Sequence, residues 1–468
     1  MKKLTSMLAT LLVVLFAAQY TFAQKYLAQP LPDAWAADSL MTNTSPVDDN
    51  WWNAFGDTCL TALIDQAVLN NNNLMAAAER VQVAKSMYNS ALAGYSPVIG
   101  FNAAWVNNQS SGNLTSTATN PALNQYLEAG ISVSWEIDLF GKIYFRAKEG
   151  KEQYNATKEE YNSVMISLCS QLASQYISLR TYQAQMKVAQ THILSQEAIL
   201  SITEARFETG LASALDVAQA KTVYYDTRAS IPGLQAAIDN QINIIAVLLG
   251  EYPVNVYQRL ARPAEQVDFL QIVSVGIPYD LLRRRPDLRQ AEYDIAAQAA
   301  AVGIAVTDFL PTLSLNGNVG FASHDPANFF QNNSLTYNIT PSFKWTLFNG
   351  TQRFQAHNAA KAQMQAAVDS YNNTVLVAVQ EVETAMSSYK NSIKQLVLLR
   401  ELVNQGQLTL DLSLDLYKNG LVDFQTVLDA QRQMLSYQNS LESTRGSSAQ
   451  ALVNLYQALG GGWNNNQE

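Results

Sequence analysis

Cysteine, histidine, positive charge and long apolar runs are all scarce in this chain, and each scarcity removes a class of function. Of 468 residues, two are cysteine and three are histidine. Two cysteines, Cys59 and Cys169, cannot build a disulfide framework. Cys169 lies between Leu168 and Leu172, where a thiol behaves as a small apolar residue, so both cysteines read as structural. Neither follows the N-terminal leader directly, where a lipid-bearing cysteine would stand. His192, His324 and His357 are isolated in sequence. There is no HExxH, no Cys-x-x-Cys, no phosphate loop and no nucleophile elbow, so the chain reads as no enzyme, with no cofactor and no metal set. With Lys2 and Lys3 set aside, the 30 basic residues fall to 28 against 39 acidic ones. Phosphate binding needs clustered cations, and the one basic cluster is Arg283-Arg284-Arg285; nucleic acid is not an expected partner. Beyond the leader no run of about 18 apolar residues occurs, so no transmembrane helix is expected.

What is present begins with that leader. Lys2-Lys3, an apolar stretch over 8–18 and Thr21-Phe22-Ala23 form a signal peptide, 1–23, cleaved after Ala23. The mature chain is therefore secreted, periplasmic or outer-membrane. Past it the sequence repeats itself at a spacing of about 210 residues. Phe207-Glu-Thr-Gly210-Leu211 returns as Tyr417-Lys-Asn-Gly420-Leu421, and Leu249-Gly250 as Leu459-Gly460. Gly94-Tyr95-Ser96-Pro97 echoes Asp308-Phe309-Leu310-Pro311. The expected organisation is an N-terminal extended segment (24–56), a first repeat (57–250), a linker (251–278), a second repeat (279–460) and a tail (461–468).

Within each repeat two segments alternate strictly. Leu127, Ala129, Ile131, Val133, Trp135, Ile137 and Leu139 stand opposite Glu128, Gly130, Ser132, Ser134, Glu136 and Asp138. The stretch from Leu335 to Leu347 alternates likewise, with weaker partners over 99–105 and 313–321. Period two with one apolar face is the strand signature. Strands of about 10 to 13 residues suffice to cross a bilayer at a tilt. Trp105, Trp135, Trp345, Tyr337, Phe321 and Phe343 on the apolar faces suit an aromatic girdle at the lipid boundary. Loops over 107–126 and 322–334 are polar, as external loops should be. Four strands cannot close a barrel and open edges are not tolerated in lipid, so several chains must each contribute four staves; a trimer supplies twelve.

Between strands the chain is helical for unusual lengths. Residues 151–209 and 351–405 contain neither glycine nor proline, and their continuations run to Gly210 and Gly420. Each helix is expected to run about 60 to 70 residues, roughly 90–105 Å. Leu376, Val379, Val382, Met386, Tyr389, Ile393 and Leu396 recur at three-four spacing as a packing stripe. Glycines 210 and 420 permit the left-handed turn that reverses the chain into returning helices over 214–249 and 424–459. Pro232-Gly233 predicts a kink in the first return.

Four ordered motifs carry a family resemblance: Arg285-Pro-Asp-Leu-Arg-Gln-Ala-Glu292, Asp308-Phe-Leu-Pro-Thr-Leu-Ser-Leu315, Gly210-Leu-Ala-Ser-Ala-Leu-Asp-Val217, and Tyr417-Lys-Asn-Gly-Leu-Val-Asp-Phe424 with Val427-Leu-Asp-Ala-Gln431. In them, and over nearly the whole mature chain, the sequence resembles the TolC/OprM class of outer-membrane efflux proteins. The resemblance implies an α+β membrane protein of the Gram-negative outer membrane. It would be a homotrimer with a 12-stranded β-barrel, four strands per chain, continued by an α-helical barrel in the periplasm. The tapered tip would meet an inner-membrane pump through a periplasmic adaptor protein. Many OprM-branch members carry a lipidated N-terminal cysteine that is missing here.

By position alone Asp429 is a solvated helix residue and Tyr417 a packed aromatic. The resemblance implies that Asp429 forms a threefold constriction and Tyr417 ties neighbouring helices shut. A second acid found in some relatives is replaced by Thr426. Asp216 and Asp423 are weaker gate candidates, because acids near a helix N-terminus often serve as caps. Gly210, Leu211, Ala212, Gly420, Leu421 and Val422 are implied to dock the adaptor. The first repeat holds Gln219 and Phe207 where the second holds Asp429 and Tyr417, so the gate belongs mainly to the second. The implied function is the exit duct of an efflux system. A duct for protein secretion and a non-transporting coiled-coil surface protein are the alternatives.

Overall fold

The computed structural model describes residues 27, 28, 31, 35, 50–109, 111, 123–262 and 284–461. The leader, most of the N-terminal segment, much of the first hairpin loop, most of the linker and most of the tail lie outside the described residues. The elements are α1 (Thr58–Asn70), α2 (Asn72–Leu92), β1 (Val98–Gln109), β2 (Leu123–Ile137), α3 (Lys142–Glu208), α4 (Ala214–Leu248), α5 (Pro253–Leu260), α6 (Pro286–Thr307), β3 (Thr312–Ser323), β4 (Leu335–Lys344), α7 (Gln352–Lys418) and α8 (Phe424–Ala458). The duplication is exact in the lengths of its long helices: α3 and α7 each have 67 residues, α4 and α8 each 35.

The compact units cut across the repeats, each drawing on both copies. One comprises 80–158 and 290–371; the other comprises 1–79, 159–289 and 372–468. The first holds a four-stranded antiparallel sheet in the order β1-β2-β3-β4. Its register stacks the odd-numbered residues in rows, such as Phe101–Ile131–Val319–Tyr337 and Ile99–Val133–Gly317–Ile339. The even rows are polar: Gly100–Ser132–Asn318–Asn338, with Ser134 Oγ donating to Asn316 Oδ1 at 2.9 Å on the next row. Ile99, Phe101, Ile131, Val319, Tyr337 and Ile339 are between 48% and 77% exposed, so among the described residues no second layer covers the apolar face. A soluble sheet would bury it.

Both later strands end sooner than alternation predicts, at Ile137 and Lys344 rather than Leu139 and Leu347. Their partner β3 begins only after Pro311, whose nitrogen cannot join a ladder. Trp345 therefore lies just past β4, where its indole donates to the Phe309 carbonyl at 3.0 Å; Trp135 repeats this with the Tyr95 carbonyl at 2.9 Å. Gly130 and Gly320 face each other across β2 and β3. A Cβ on Gly130 would lie 2.7 Å from the Val319 carbonyl oxygen, so only glycine allows this approach.

The other unit is helical. Trp51 is fully buried and stacks on Tyr456 at 5.4 Å. Asp57 caps α1 by accepting from Cys59 N–H, and its other oxygen accepts from the Tyr176 hydroxyl at 2.6 Å. Burial pushes the Cys169 thiol up to about 12, in keeping with an inert core residue. The stripe on α7 needs one correction. Leu376 is 63% exposed, and the seam runs through Val375, Ala378, Val382, Met386, Tyr389 and Leu396. Leu376 is one place out of phase with that seam, and Val375 holds the buried position. Helix α4 passes through Pro232 as one element, with the proline on an exposed face where the freed carbonyl can reach water.

Candidate functional site: the helical hairpin ends

Each long helix stops by the same backbone device. Gly210 has φ 72°, its N–H donates to the Phe207 carbonyl at 3.0 Å, and Leu211 N–H donates to Arg206 at 2.8 Å. Gly420 and Leu421 repeat this on Tyr417 and Leu416 at 3.0 and 2.9 Å, with φ 72° at Gly420. The pair of bonds satisfies the last carbonyls, and the left-handed residue turns the chain back. The return helices are capped at once. Ser213 and Asp216 form a reciprocal capping box on α4. Asp423 caps α8, accepting from the Thr426 N–H at 3.1 Å and its hydroxyl at 2.8 Å. Those bonds hold the Asp423 carboxyl below its ordinary range. The two weaker gate candidates, Asp216 and Asp423, are thus engaged at their own helix ends.

The six turn residues divide by environment. Leu211 and Leu421 project outward, 67% and 70% exposed. Ala212 is half-buried, and Val422 packs inward against an apolar knot. That knot contains Ile199, Ala220, Val223, Tyr417, Phe424, Val427 and Leu428. Tyr417 is 4% exposed, and its ring sits 5.4 Å from Phe424. Its hydroxyl has no hydrogen-bond partner among the described residues. The Arg206 guanidinium lies 4.8 Å from the Tyr417 ring centroid and donates to the Lys418 carbonyl at 2.9 Å, tying one hairpin to the other. Sequence reasoning missed Arg206; the one available signal was its place as the basic residue of the last turn of α3.

Asp429 is exposed on α8 and accepts from Gln425 Nε2 at 2.9 Å. Gln425 Oε1 in turn accepts from Gln219 at 3.4 Å, joining Asp429 to its counterpart in the first repeat. Further along, the interface between α3, α4 and α8 is polar. His192 meets Gln438 at 2.8 Å and Gln196 donates to Thr227 at 2.9 Å, all on buried or half-buried faces.

Two helices carry a second seam that nothing among the described residues covers. On α4, Leu215, Ala218, Thr222, Tyr225 and Ala229 recur at three-four spacing and are exposed. On α7, Leu398, Leu402, Leu412 and Leu416 lie on one exposed heptad face. A helix with one seam packed and another open is built to have neighbours on two sides, as a stave does. Among the described residues no helix is long and apolar enough to cross a membrane, and no group of three or more His, Cys, Asp or Glu could hold a metal ion.

A single-layer sheet with a bare apolar face, in a chain that also forms two long helical hairpins, defines a protomer of an outer-membrane channel. Residues 63–251 and 277–461 match the family described as outer membrane efflux protein. The chain belongs to that family. It is similar to the toluene efflux pump outer membrane protein TtgC of Pseudomonas putida, 31% identical over 423 residues that cover 90% of this chain and 87% of the relative. The pyoverdine export outer membrane protein OpmQ of Pseudomonas aeruginosa is 28% identical over 452 residues, covering 94% of each. Among solved structures, the outer-membrane channel OprN superposes with TM-score 0.87 at 28% identity, over 93% of this chain and 98% of that one. The Campylobacter jejuni CmeC channel shares the fold with TM-score 0.87 at 22% identity, over 94% of each chain. The protein is thus an outer-membrane efflux component, located in a Gram-negative outer membrane and extending into the periplasm. The family is a transport duct.

Proposed function

We propose that three copies of this chain form one duct that conducts small organic compounds passively out of the cell, without catalysis. The observation that carries this reading is the sheet: among the described residues its outer strands β1 and β4 have no partner beyond them and its apolar face is uncovered. Open edges are untenable in lipid, so neighbouring copies must pair with them. The bare seams on α4 and α7 are the matching surfaces in the helical part. Trp135, Phe343 and Trp345 would form the aromatic girdle at one end of the sheet, Trp105 and Phe321 that at the other. Tyr337 falls in a central row between Val319 and the β4 edge, so it faces acyl chains rather than a girdle.

The periplasmic ends are the helical hairpins. Tyr417, Arg206 and the knot around them hold each chain's two hairpins together, and Asp429 is the charge presented where three copies converge. Leu211 and Leu421, exposed on tight turns, are the contacts for a periplasmic adaptor that links the duct to an inner-membrane pump. Relatives named for toluene, solvent and antibiotic efflux favour small apolar cargo over protein secretion. Purified protein reconstituted in planar bilayers should give trimeric channels of small conductance. Folded protein that conducts at no voltage would refute the duct.

A further inference from the structure

The loop between β3 and β4 builds an aromatic knuckle for which the duct has no evident use. Two short 3₁₀ turns, Pro326–Asn328 and Asn332–Ser334, frame it. Asp325 accepts from the Ala327 N–H at 2.9 Å, and the Ser334 hydroxyl donates to the Asn328 carbonyl at 2.8 Å, fixing the segment between them. Within that segment Phe329 is 5% exposed while its neighbour Phe330 is 82% exposed. Their rings meet edge-on at 4.9 Å, and Phe330 also meets Phe321 at 5.7 Å. Phe321 is an odd-numbered residue of β3, in the row of Ala129 and Leu335. Phe330 therefore prolongs the apolar face of the sheet past the end of the strands.

We propose that Phe330 is a lipid anchor, seated on Phe329 and Phe321 and inserted at the boundary of acyl chains and headgroups in the outer leaflet. Lipid is the occupant because the knuckle is continuous with the bare face of β3. Aromatic rings favour that boundary, whereas a phenylalanine held in water by a hydrogen-bonded loop forgoes burial. The inference rests on the odd-numbered face being the lipid face.

The test uses full-length protein with Cys59→Ser and Cys169→Ala, carrying a single nitroxide at Phe330→Cys, Tyr337→Cys or Asn338→Cys. Each labelled trimer, verified by its unheated gel band, is placed in phospholipid nanodiscs and relaxed by oxygen or by an aqueous nickel complex. Labels at 330 and 337 should respond more to oxygen, and the label at 338 more to nickel. A nickel-accessible 330 beside an oxygen-accessible 337 overturns the anchor and leaves the loop to water or a protein partner. Nickel access at both overturns the face assignment and the anchor with it.

Discussion

Arg206 places its guanidinium 4.8 Å from the ring of Tyr417, and the two residues stand in the last turns of the two long helices. The contact therefore joins one hairpin end to the other. A partly desolvated cation–π pair contributes about 0.5–2 kcal/mol. Arg206→Ala should raise the open probability of the channel about 2- to 30-fold, read by single-channel recording. Tyr417→Phe should behave as wild type, because the hydroxyl has no partner to lose among the described residues. If Tyr417→Phe opens the channel as strongly as Arg206→Ala, the phenol is bonded across chains in the assembly.

Asp429 is exposed in the first turns of α8 and accepts a hydrogen bond from a neutral amide, Gln425. Three such carboxylates near one axis attract cations. Asp429→Asn keeps the size and the bonding capacity while removing the charge. It should weaken block by a divalent or trivalent cation roughly tenfold, on the scale of about 1.4 kcal/mol per decade. Asp423→Asn should leave block unchanged, since that carboxylate is committed to its helix cap. Equal loss in both variants would mean the block is set by overall charge.

Leu421 is 70% exposed on a turn that its own backbone already stabilises. Replacing it with Glu should leave the trimer intact, since surface changes away from packing usually cost within about 0.5 kcal/mol. Crosslinking to a periplasmic adaptor should be lost. Val422→Glu is the informative contrast: Val422 packs on the knot, so that change should disturb the hairpin itself. Full crosslinking by Leu421→Glu would remove this turn from the docking surface.

Much of this was legible because the sequence advertises its own symmetry. Period-two runs located all four strands, and the Gly-Leu pairs located both hairpin turns with their left-handed glycines. What was not legible depended on partners distant in the chain. Strand ends at Ile137 and Lys344 were set by Pro311 just before the neighbouring strand, which alternation within one segment cannot register. Leu376 entered the packing stripe because a hydrophobic residue one place out of phase looks the same in composition as Val375. Arg206 was invisible for a similar reason: its importance comes from Tyr417, 211 positions later, and no local pattern marks that pairing.

Acid should loosen the contact between α3 and α8. His192 is 6% exposed, with Nε2 2.8 Å from Gln438 Oε1. Burial lowers the pKa of the ring, and the Gln438 hydrogen bond offsets this only in part. The folded chain therefore takes up this proton less readily than the unfolded chain, whose histidines titrate near about 6.5. The stabilisation is fully present above about pH 6.5 and is lost as pH falls through the lower, folded value. The urea midpoint of the wild-type protein should drop from about pH 6.5 downward more steeply than that of His192→Asn, which has no imidazole to charge. Taking the difference between the two profiles removes the carboxylates, which titrate identically in both. Parallel profiles would show that His192 carries no proton linkage, and a steeper fall in His192→Asn would reverse the sign assigned to its burial.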